Sequence, residues 1–324
     1  MTNGRKRIVR LARIPFEWIG IALGVVLMSN LSHRGLFRLC DFISSVMYRF
    51  DRRGRREALF NLRAVLGRPT PDSFRELDYA PTAAEEKIIR RSYRNMARTV
   101  GHAFWTCRNA VARVRSVGAV DGKCRAFLAA NRPAVTVSGH IGCWEILSQL
   151  AQLEGHAMMS VAKDIGTGGM TKLLMRARRS IGQEIVPAGG AFRPLLAGLR
   201  AGKSLGLLVD QVVKPKHGGV WVRFFGRPVP VSAAPAFFAA KCGAPILVAW
   251  SRPMKDGSYR CEYVADYPPE AARDVWAMTQ RCLADLERVI RRHPSCWVLN
   301  YNAFRRRPTA EELAGLEKRE AVAA

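Results

Sequence analysis

From Val117 to Leu299 the chain alternates between short apolar runs and longer segments whose apolar residues recur every three or four positions. The short runs are typical of buried strands, and the longer segments are typical of helices packed on a sheet. Strands are predicted at residues 134–138, 158–162, 184–186, 205–209, 246–251 and 259–264, and helices at residues 143–153, 171–181, 192–199, 233–242 and 271–292. Such alternation predicts an α/β fold, a mostly parallel mixed sheet flanked by helices.

On either side of this region the pattern is helical. Residues 57–66 form an amphipathic segment that ends before Pro69, and Thr82 and Glu85 have the spacing of a capping box for a helix to about Arg108. Residues after 308 are polar and rich in alanine, which predicts a helical or frayed tail. We therefore divide the chain into a basic N-terminal anchor at 1–56, an α/β domain at 57–308 and a C-terminal tail at 309–324.

The N-terminal segment contains an apolar run, WIGIALGVVLM at residues 18–28, with cations on both sides from Arg5 to Arg13 and from Arg34 to Arg56. The run is shorter than the ~20 residues that span a bilayer. Cations on both sides give no preferred direction of crossing. We expect a membrane-associated helix, in the interface or crossing once, that holds the protein on the cytoplasmic face. The alternative is a helix buried in the core.

The chain has 324 residues, with 52 Lys and Arg against 26 Asp and Glu, a formal net charge of +26. Such a charge attracts polyanions, whether nucleic acid, anionic lipid, phosphorylated substrates or acidic carrier proteins. The eight cysteines are scattered, with no Cys-x-x-Cys pair and no Cys/His cluster. This usage argues against a zinc site and a disulfide framework and favours a reducing compartment.

The candidate chemistry lies in residues 134–145, AVTVSGHIGCWE. His140 follows a predicted strand and precedes a predicted helix, at the strand end where α/β sheets place their ligands. On a continuous helix His140 and Glu145 would point ~140° apart, so they meet only if the flanking glycines bend the chain. A carboxylate on one imidazole nitrogen would leave the other free as a general base. Alternatively, His140 is structural and Glu145 merely favours the helix N-terminus, or the Cys143 thiol is a nucleophile.

The segment SGHIGCWEI resembles the first block of the bacterial lipid A late acyltransferases, the lauroyl and myristoyl transferases. These enzymes belong to the wider lysophospholipid acyltransferase superfamily, whose mark is His-x-x-x-x-acid. His140 and Glu145 occupy its two positions. The resemblance covers roughly residues 56–308, and further blocks follow in the family's order.

The second block, MRARRSIG, places Arg178 four residues before a glycine, as the family places an important arginine, with Arg176 and Arg179 as alternatives. The third block, residues 192–211, resembles the family's helix, glycine turn and closing Asp-Gln. It puts Asp210 at the sheet edge with His140, although an Asp after a strand is also an ordinary turn residue.

The fourth block, residues 222–250, resembles the family's Phe-Phe-Gly-x-Pro segment, which makes Phe224 and Phe225 candidates for an acyl groove, or else core aromatics. The closing segment departs most from the family. Pro294, Trp297 and Phe304 fit its usual ending, and Trp297 is a further candidate for the groove or the acceptor site. The departures are Ser295 and Cys296 for Glu-Gln, Leu299 for Trp, Tyr301 for His and Arg305 for Lys.

The resemblance implies an O-acyltransferase that moves a fatty acyl chain from an acyl thioester to a hydroxyl of a lipid A precursor. His140 would be the general base and Glu145 would orient its ring. Arg178 and backbone amides near Gly142 would hold the oxyanion, and Asp210 would position Arg178 or the acceptor. No metal or cofactor is implied, because a thioester is already activated.

The resemblance also implies partners. The family's usual donor is acyl carrier protein, with acyl-CoA as the alternative, and its acceptor is a phosphorylated glycolipid in an anionic leaflet. We expect these partners, anionic membrane lipids and no nucleic acid, at the cytoplasmic face of a bacterial inner membrane. Two other functions remain open: acylation of another glycolipid or lysophospholipid, and a non-enzymatic binder of anionic membrane or nucleic acid.

Overall fold

A seven-stranded mixed sheet forms the centre of the computed structural model, which describes residues 18–131, 133–162 and 169–323. The strands are β1 Gly118–Val120, β2 Val135–Ser138, β3 Met158–Ala162, β4 Glu184–Pro187, β5 Ser204–Leu208, β6 Gly219–Phe224, β7 Arg227–Ser232, β8 Ile246–Pro253 and β9 Tyr259–Tyr267. The sheet order is β1-β9-β8-β2-β5-β3-β4, and β6 and β7 form a separate antiparallel hairpin. Strands β8, β2, β5, β3 and β4 are parallel, while β9 is antiparallel to β8. The predicted α/β class is confirmed.

Helices cover both faces of this sheet. They are α1 at residues 18–30, α2 His33–Phe50, α3 Arg52–Val65, α4 Ala83–Trp105, α5 Ala110–Val117, α6 Gly122–Ala130, α7 Trp144–Leu153, α8 Gly169–Arg179, α9 Phe192–Arg200, α10 Ala234–Cys242, α11 Val275–Arg292 and α12 Ala310–Ala323. Along β8, Ile246 and Val248 join a hydrophobic cluster with α3, α9, α10 and α11, whereas Leu247 and Ala249 join a second cluster with α5, α6 and α7. Burial on both faces explains why the strand is apolar at successive positions.

Local sequence signals set several of these boundaries. The capping box is confirmed: the Glu85 amide donates to Thr82 Oγ1 at 3.2 Å, and the Thr82 amide donates to Glu85 Oε2 at 2.8 Å. The predicted helix 271–292 is broken near its start, because Asp274 caps α11 by accepting from the Ala277 amide at 2.9 Å. The sequence pattern missed α2, β1, α6 and the β6–β7 hairpin.

Helix α1 has one buried side and one exposed apolar side. Ile21 packs against Phe104 of α4 and Leu173 of α8, whereas Leu23 and Val26 are each 64% exposed. No helix among residues 18–131, 133–162 and 169–323 is both long and apolar enough to cross a membrane. The cations from Arg5 to Arg13 lie outside the described residues, and membrane association of α1 stays a prediction.

Candidate active site

Two neighbouring strands bring His140 and Asp210 together. Strands β2 and β5 are parallel, and Ser138 pairs with Leu208. Each strand ends at this pair, so the residues two positions further on leave the sheet side by side. His140 keeps 21% of its side chain exposed, whereas Asp210 is buried. The prediction that both residues lie at one carboxyl edge of the sheet is confirmed.

Asp210 holds the imidazole of His140. Its Oδ1 lies 2.7 Å from His140 Nδ1, and its Oδ2 accepts from the His140 amide at 2.8 Å and from Trp297 Nε1 at 2.9 Å. Burial by itself would raise the pKa of Asp210, but the adjacent His140 and these hydrogen bonds outweigh it and hold the pKa below its usual range. The ionised carboxylate accepts a hydrogen bond from Nδ1–H, which keeps the ring proton on Nδ1 and leaves a lone pair on Nε2.

The other ring nitrogen faces Gln211, a residue that sequence reasoning did not single out. Gln211 Nε2 lies 3.2 Å from His140 Nε2. With the ring proton on Nδ1, the side-chain amide of Gln211 donates to the free lone pair. Adjacent residues at the end of β5 therefore bind the two nitrogens of one imidazole. The Asp-Gln dipeptide was the available sequence signal.

The structure corrects the predicted role of Glu145. Both of its carboxylate oxygens bind Arg178, at 2.9 Å from Nε and 2.8 Å from Nη2. Glu145 thus does not orient the His140 ring, and Asp210 does not position Arg178. The physical reason is the placement of the two carboxylates. Glu145 lies in the first turn of α7, whereas the register of β2 against β5 places Asp210 beside the His140 ring. The His140–Asp210 and Glu145–Arg178 pairs still interact electrostatically, because His140 also lowers the pKa of Glu145.

The Glu145–Arg178 pair is buried, with 6% and 14% of the side chains exposed. Burial would raise the pKa of Glu145, but Arg178 and, to a lesser extent, His102 and His140 hold it below its usual value. Arg178 Nη1 makes no hydrogen bond to the residues that the structure describes. It is therefore the nitrogen of this guanidinium that stays available to a further acceptor.

The turn after His140 is held by its backbone. The Gly142 amide donates to the Cys296 carbonyl at 2.8 Å, and the Cys143 amide donates to the Ser251 carbonyl at 3.2 Å. These amides are therefore not available to an oxyanion, which corrects the expectation for Gly142. Burial raises the pKa of the Cys143 thiol to about 12, which argues against the alternative of a thiol nucleophile.

Gly142→Ala is expected to disrupt this turn. Gly142 has φ +62°, and an added Cβ would lie 1.8 Å from the Ser251 carbonyl oxygen. A left-handed φ alone costs an alanine about 1–2 kcal/mol. Because the clash with Ser251 adds to that cost, we expect Gly142→Ala to lower the free energy of unfolding by more than this amount. Gly243→Ala is the matched control, because Gly243 has the same φ and open space around it. Equal losses of unfolding free energy, measured by urea denaturation, would show that the clash with Ser251 is relieved.

The three aromatic candidates for an acyl groove form a buried cluster. Phe224 and Phe225 each lie with their ring centroids 5.6 Å from that of Trp297. All three side chains are less than 9% exposed, and the Trp297 indole is bound to Asp210. In this structure they are core residues that support the site, and a role in binding the acyl chain stays a prediction.

The closing segment contacts the site mainly through its main chain. The Val298 amide donates to the His140 carbonyl at 3.1 Å, and Ile141 forms a bridge with Trp297. Asn61 anchors the segment from α3, its Nδ2 donating to the Leu299 carbonyl at 2.7 Å. Because these bonds use backbone groups, the departures at 295, 296, 299 and 301 leave the geometry around His140 intact. Within the closing segment, only Trp297 places a side chain in hydrogen-bond contact with Asp210.

Three comparisons relate the chain to known proteins. The family model described as bacterial lipid A biosynthesis acyltransferase matches residues 2–306. The phosphatidylinositol mannoside acyltransferases of Mycobacterium tuberculosis strains CDC 1551 / Oshkosh and ATCC 25618 / H37Rv are each 30% identical over 138 residues, 41% of this chain and 42% of theirs. The chain thus matches less than half the length of these curated relatives. The crystal structure of the 1-acyl-sn-glycerophosphate (LPA) acyltransferase PlsC from Thermotoga maritima covers 81% of this chain and 96% of its own, with a TM-score of 0.37 and 15% identity.

The family match extends over all the blocks that carry the site, from His140 through Arg178 and Asp210 to Trp297. A match of this length disfavours the non-enzymatic binder. The chain belongs to the bacterial lipid A biosynthesis acyltransferase family.

Proposed function

We propose that the protein transfers a fatty acyl chain from an acyl thioester, carried by acyl carrier protein, to a hydroxyl of a lipid A precursor, with His140 as the general base. The observation that carries this proposal is the His140 ring itself. Asp210 binds Nδ1 at 2.7 Å, so Nε2 is the basic nitrogen, and the ring is partly exposed at the sheet edge.

The chemistry is a direct acyl transfer. His140 Nε2 takes the proton of the acceptor hydroxyl while the oxygen attacks the thioester carbonyl carbon. Asp210 stabilises the imidazolium that forms, and Arg178 Nη1 is the candidate donor to the oxyanion. The C–S bond then breaks, and the imidazolium returns its proton to the thiolate. The products are a lipid ester and a free thiol, without a covalent enzyme intermediate.

Gln211 is part of this mechanism. Its amide occupies the position from which an acceptor hydroxyl would donate to His140 Nε2. The hydroxyl therefore replaces Gln211 when the acceptor binds, and Gln211 shields the base from water until then. Because a single hydrogen bond is exchanged for another, this replacement costs little free energy.

Composition and exposure support the proposal of a membrane context. A net charge of +26 suits both an acidic carrier protein and an anionic leaflet. The exposed apolar side of α1 suits the interface of a membrane, and we propose the cytoplasmic face of a bacterial inner membrane. No cofactor is needed, since the thioester supplies the activated acyl group.

A second candidate is the same chemistry on another glycolipid or lysophospholipid. The observation that favours it is the 138-residue match to proteins named for acylation of phosphatidylinositol mannoside. The closing segment, with Ser295, Cys296, Leu299 and Tyr301, also differs from the pattern of the lipid A enzymes.

Lipid mass spectrometry tests the proposal. Cells expressing the wild type, His140→Gln or neither are compared, with membrane-bound protein matched by immunoblot. A lipid A species heavier by one acyl chain, present only with the wild type, is the expected result. An acylated species of another lipid would support the second candidate. No lipid change with stable protein, or a change that His140→Gln retains, would overturn the proposed function.

A further inference from the structure

Helix α8 has an inner face that contributes to the active site and an outer face that does not. Arg178 on the inner face is mostly buried against Glu145, and Ala177 is buried beside it. Lys172, Arg176 and Arg179 are exposed, and their spacing of four and three residues puts them on one stripe of the helix. The proposed mechanism uses none of these three cations.

These cations have no acidic partner among residues 18–131, 133–162 and 169–323. Neighbouring like charges on a helix repel one another and cost stability. With Met175 and Ser180 they line an open depression of about 400 Å³. Three neighbouring positive charges that form no ion pair within the described fold suit an anionic ligand.

The surroundings of this stripe include an apolar surface. Lys172 Nζ lies 5.2 Å above the ring of Trp18 in α1, and Leu173 packs with Ile21 in the same contact between α8 and α1. Beyond that contact, α1 exposes Leu23, and further along Val26 and Leu27. Cations that adjoin an indole and exposed aliphatic side chains match the boundary between the headgroups and the acyl chains of a membrane.

We propose that Lys172, Arg176 and Arg179 form a binding site for the phosphate of an anionic lipid headgroup. Guanidinium groups bind phosphate oxygens in pairs, and the ammonium of Lys172 adds a point charge beside Trp18. The headgroup would lie along α8 with its acyl chains beside α1. Since Arg178 is on the opposite side of the same helix, lipid binding here fixes the active site relative to the membrane surface. The inference rests on the proposed function only for the presence of a membrane.

A vesicle-binding experiment tests this site. The full-length protein is titrated with vesicles of phosphatidylcholine alone and of phosphatidylcholine mixed with phosphatidylglycerol, over a range of NaCl concentrations. The test variant is the triple substitution Lys172→Gln, Arg176→Gln and Arg179→Gln. We expect at least a tenfold loss of affinity for the anionic vesicles, with a weaker salt dependence and unchanged binding to phosphatidylcholine.

The control variant removes three exposed cations elsewhere, Lys216→Gln, Lys241→Gln and Arg281→Gln. It changes net charge equally, so a loss as large as that of the test variant would overturn the site in favour of a general charge effect. Unchanged binding by the test variant would overturn it directly. His140→Gln is expected to bind vesicles as the wild type does, because His140 is not part of the lipid site. Vesicle binding therefore tests the lipid site alone, and the lipid analysis of cells tests the acyl-transfer proposal alone.

Two further arms identify the source of the phosphate. Inorganic phosphate and glycerol phosphate, added at constant ionic strength, should not release the wild type from anionic vesicles. Release at low millimolar concentration would overturn the assignment to a lipid in favour of a soluble phosphate. Loss of affinity for purified acyl carrier protein, with vesicle binding intact, would overturn it in favour of the carrier protein.

Discussion

Asp210→Asn is expected to lower the rate of acyl transfer by about 10³–10⁴-fold while the protein remains folded. The His140 amide and the Trp297 indole both donate to Oδ2, so the single oxygen of an asparagine must take that position. Its NH₂ group then faces Nδ1, which becomes the acceptor. The ring proton moves to Nε2, and His140 no longer has a lone pair to take the proton from the acceptor hydroxyl.

Steady-state kinetics with a soluble acyl thioester check this result, since the loss should fall on kcat and leave KM nearly unchanged. Asp285→Asn is the matched control, because Asp285 is an equally buried carboxylate that accepts from the Tyr267 hydroxyl at 2.6 Å. It should reduce unfolding free energy without the loss in kcat. A rate within about tenfold of wild type for Asp210→Asn would show that the base is not the Asp210-bound imidazole.

The sequence predicted the class of fold because strand and helix periods are local properties. Strand β3 has the predicted bounds, and β8 differs from its prediction only at its C-terminal end. The hairpin β6–β7 was missed because its signals are unusual. Its turn places Phe225 at φ +51°, where asparagine or glycine is expected, and β7 contains Pro228 and Pro230.

The sequence indicated which residues belong to the candidate site but not which of them bind one another. His140, Asp210, Glu145 and Arg178 each lie where the blocks placed them. Which carboxylate binds the imidazole depends on the register of β2 against β5, a long-range property that a five-residue spacing does not contain. Gln211 was missed for the same reason, since its importance arises only once Asp210 is fixed beside His140.

The departures of the closing segment have a related explanation. Its predicted importance rested on side chains, whereas its contacts to the His140 loop use main-chain groups. Any residue other than proline that keeps the backbone path can supply those groups. Trp297, which retains the family's residue, is also the position at which a side chain reaches the site.

Removal of one partner of the Glu145–Arg178 pair is expected to destabilise the protein by about 3–5 kcal/mol. Glu145→Ala leaves the Arg178 guanidinium buried without its carboxylate, and Arg178→Ala leaves the carboxylate without its cation. Glu184→Ala is the control, because the Glu184–Lys203 pair is 48% and 40% exposed and should contribute less than about 1 kcal/mol. Urea denaturation of the purified proteins in the same detergent compares the three variants.

The double variant Glu145→Leu with Arg178→Met separates stability from catalysis. Two apolar side chains replace a buried ion pair at little net cost in many proteins, so unfolding free energy should return to within about 1–2 kcal/mol of wild type. If Arg178 Nη1 binds the oxyanion, the double variant stays inactive although it is folded. Recovery of transfer together with stability would assign the pair a structural role alone.

The Glu145–Arg178 pair also predicts how the free energy of unfolding falls in acid. Burial raises the pKa of Glu145, but Arg178 outweighs burial and holds it below the unfolded value of 4.5. The contribution to stability is therefore fully present above pH 4.5 and is lost as the pH falls through the lower folded-state pKa. In the double variant the unfolding free energy should fall less steeply over that range, since neither side chain titrates there. An identical acid decline in both proteins would show that other carboxylates set the limit.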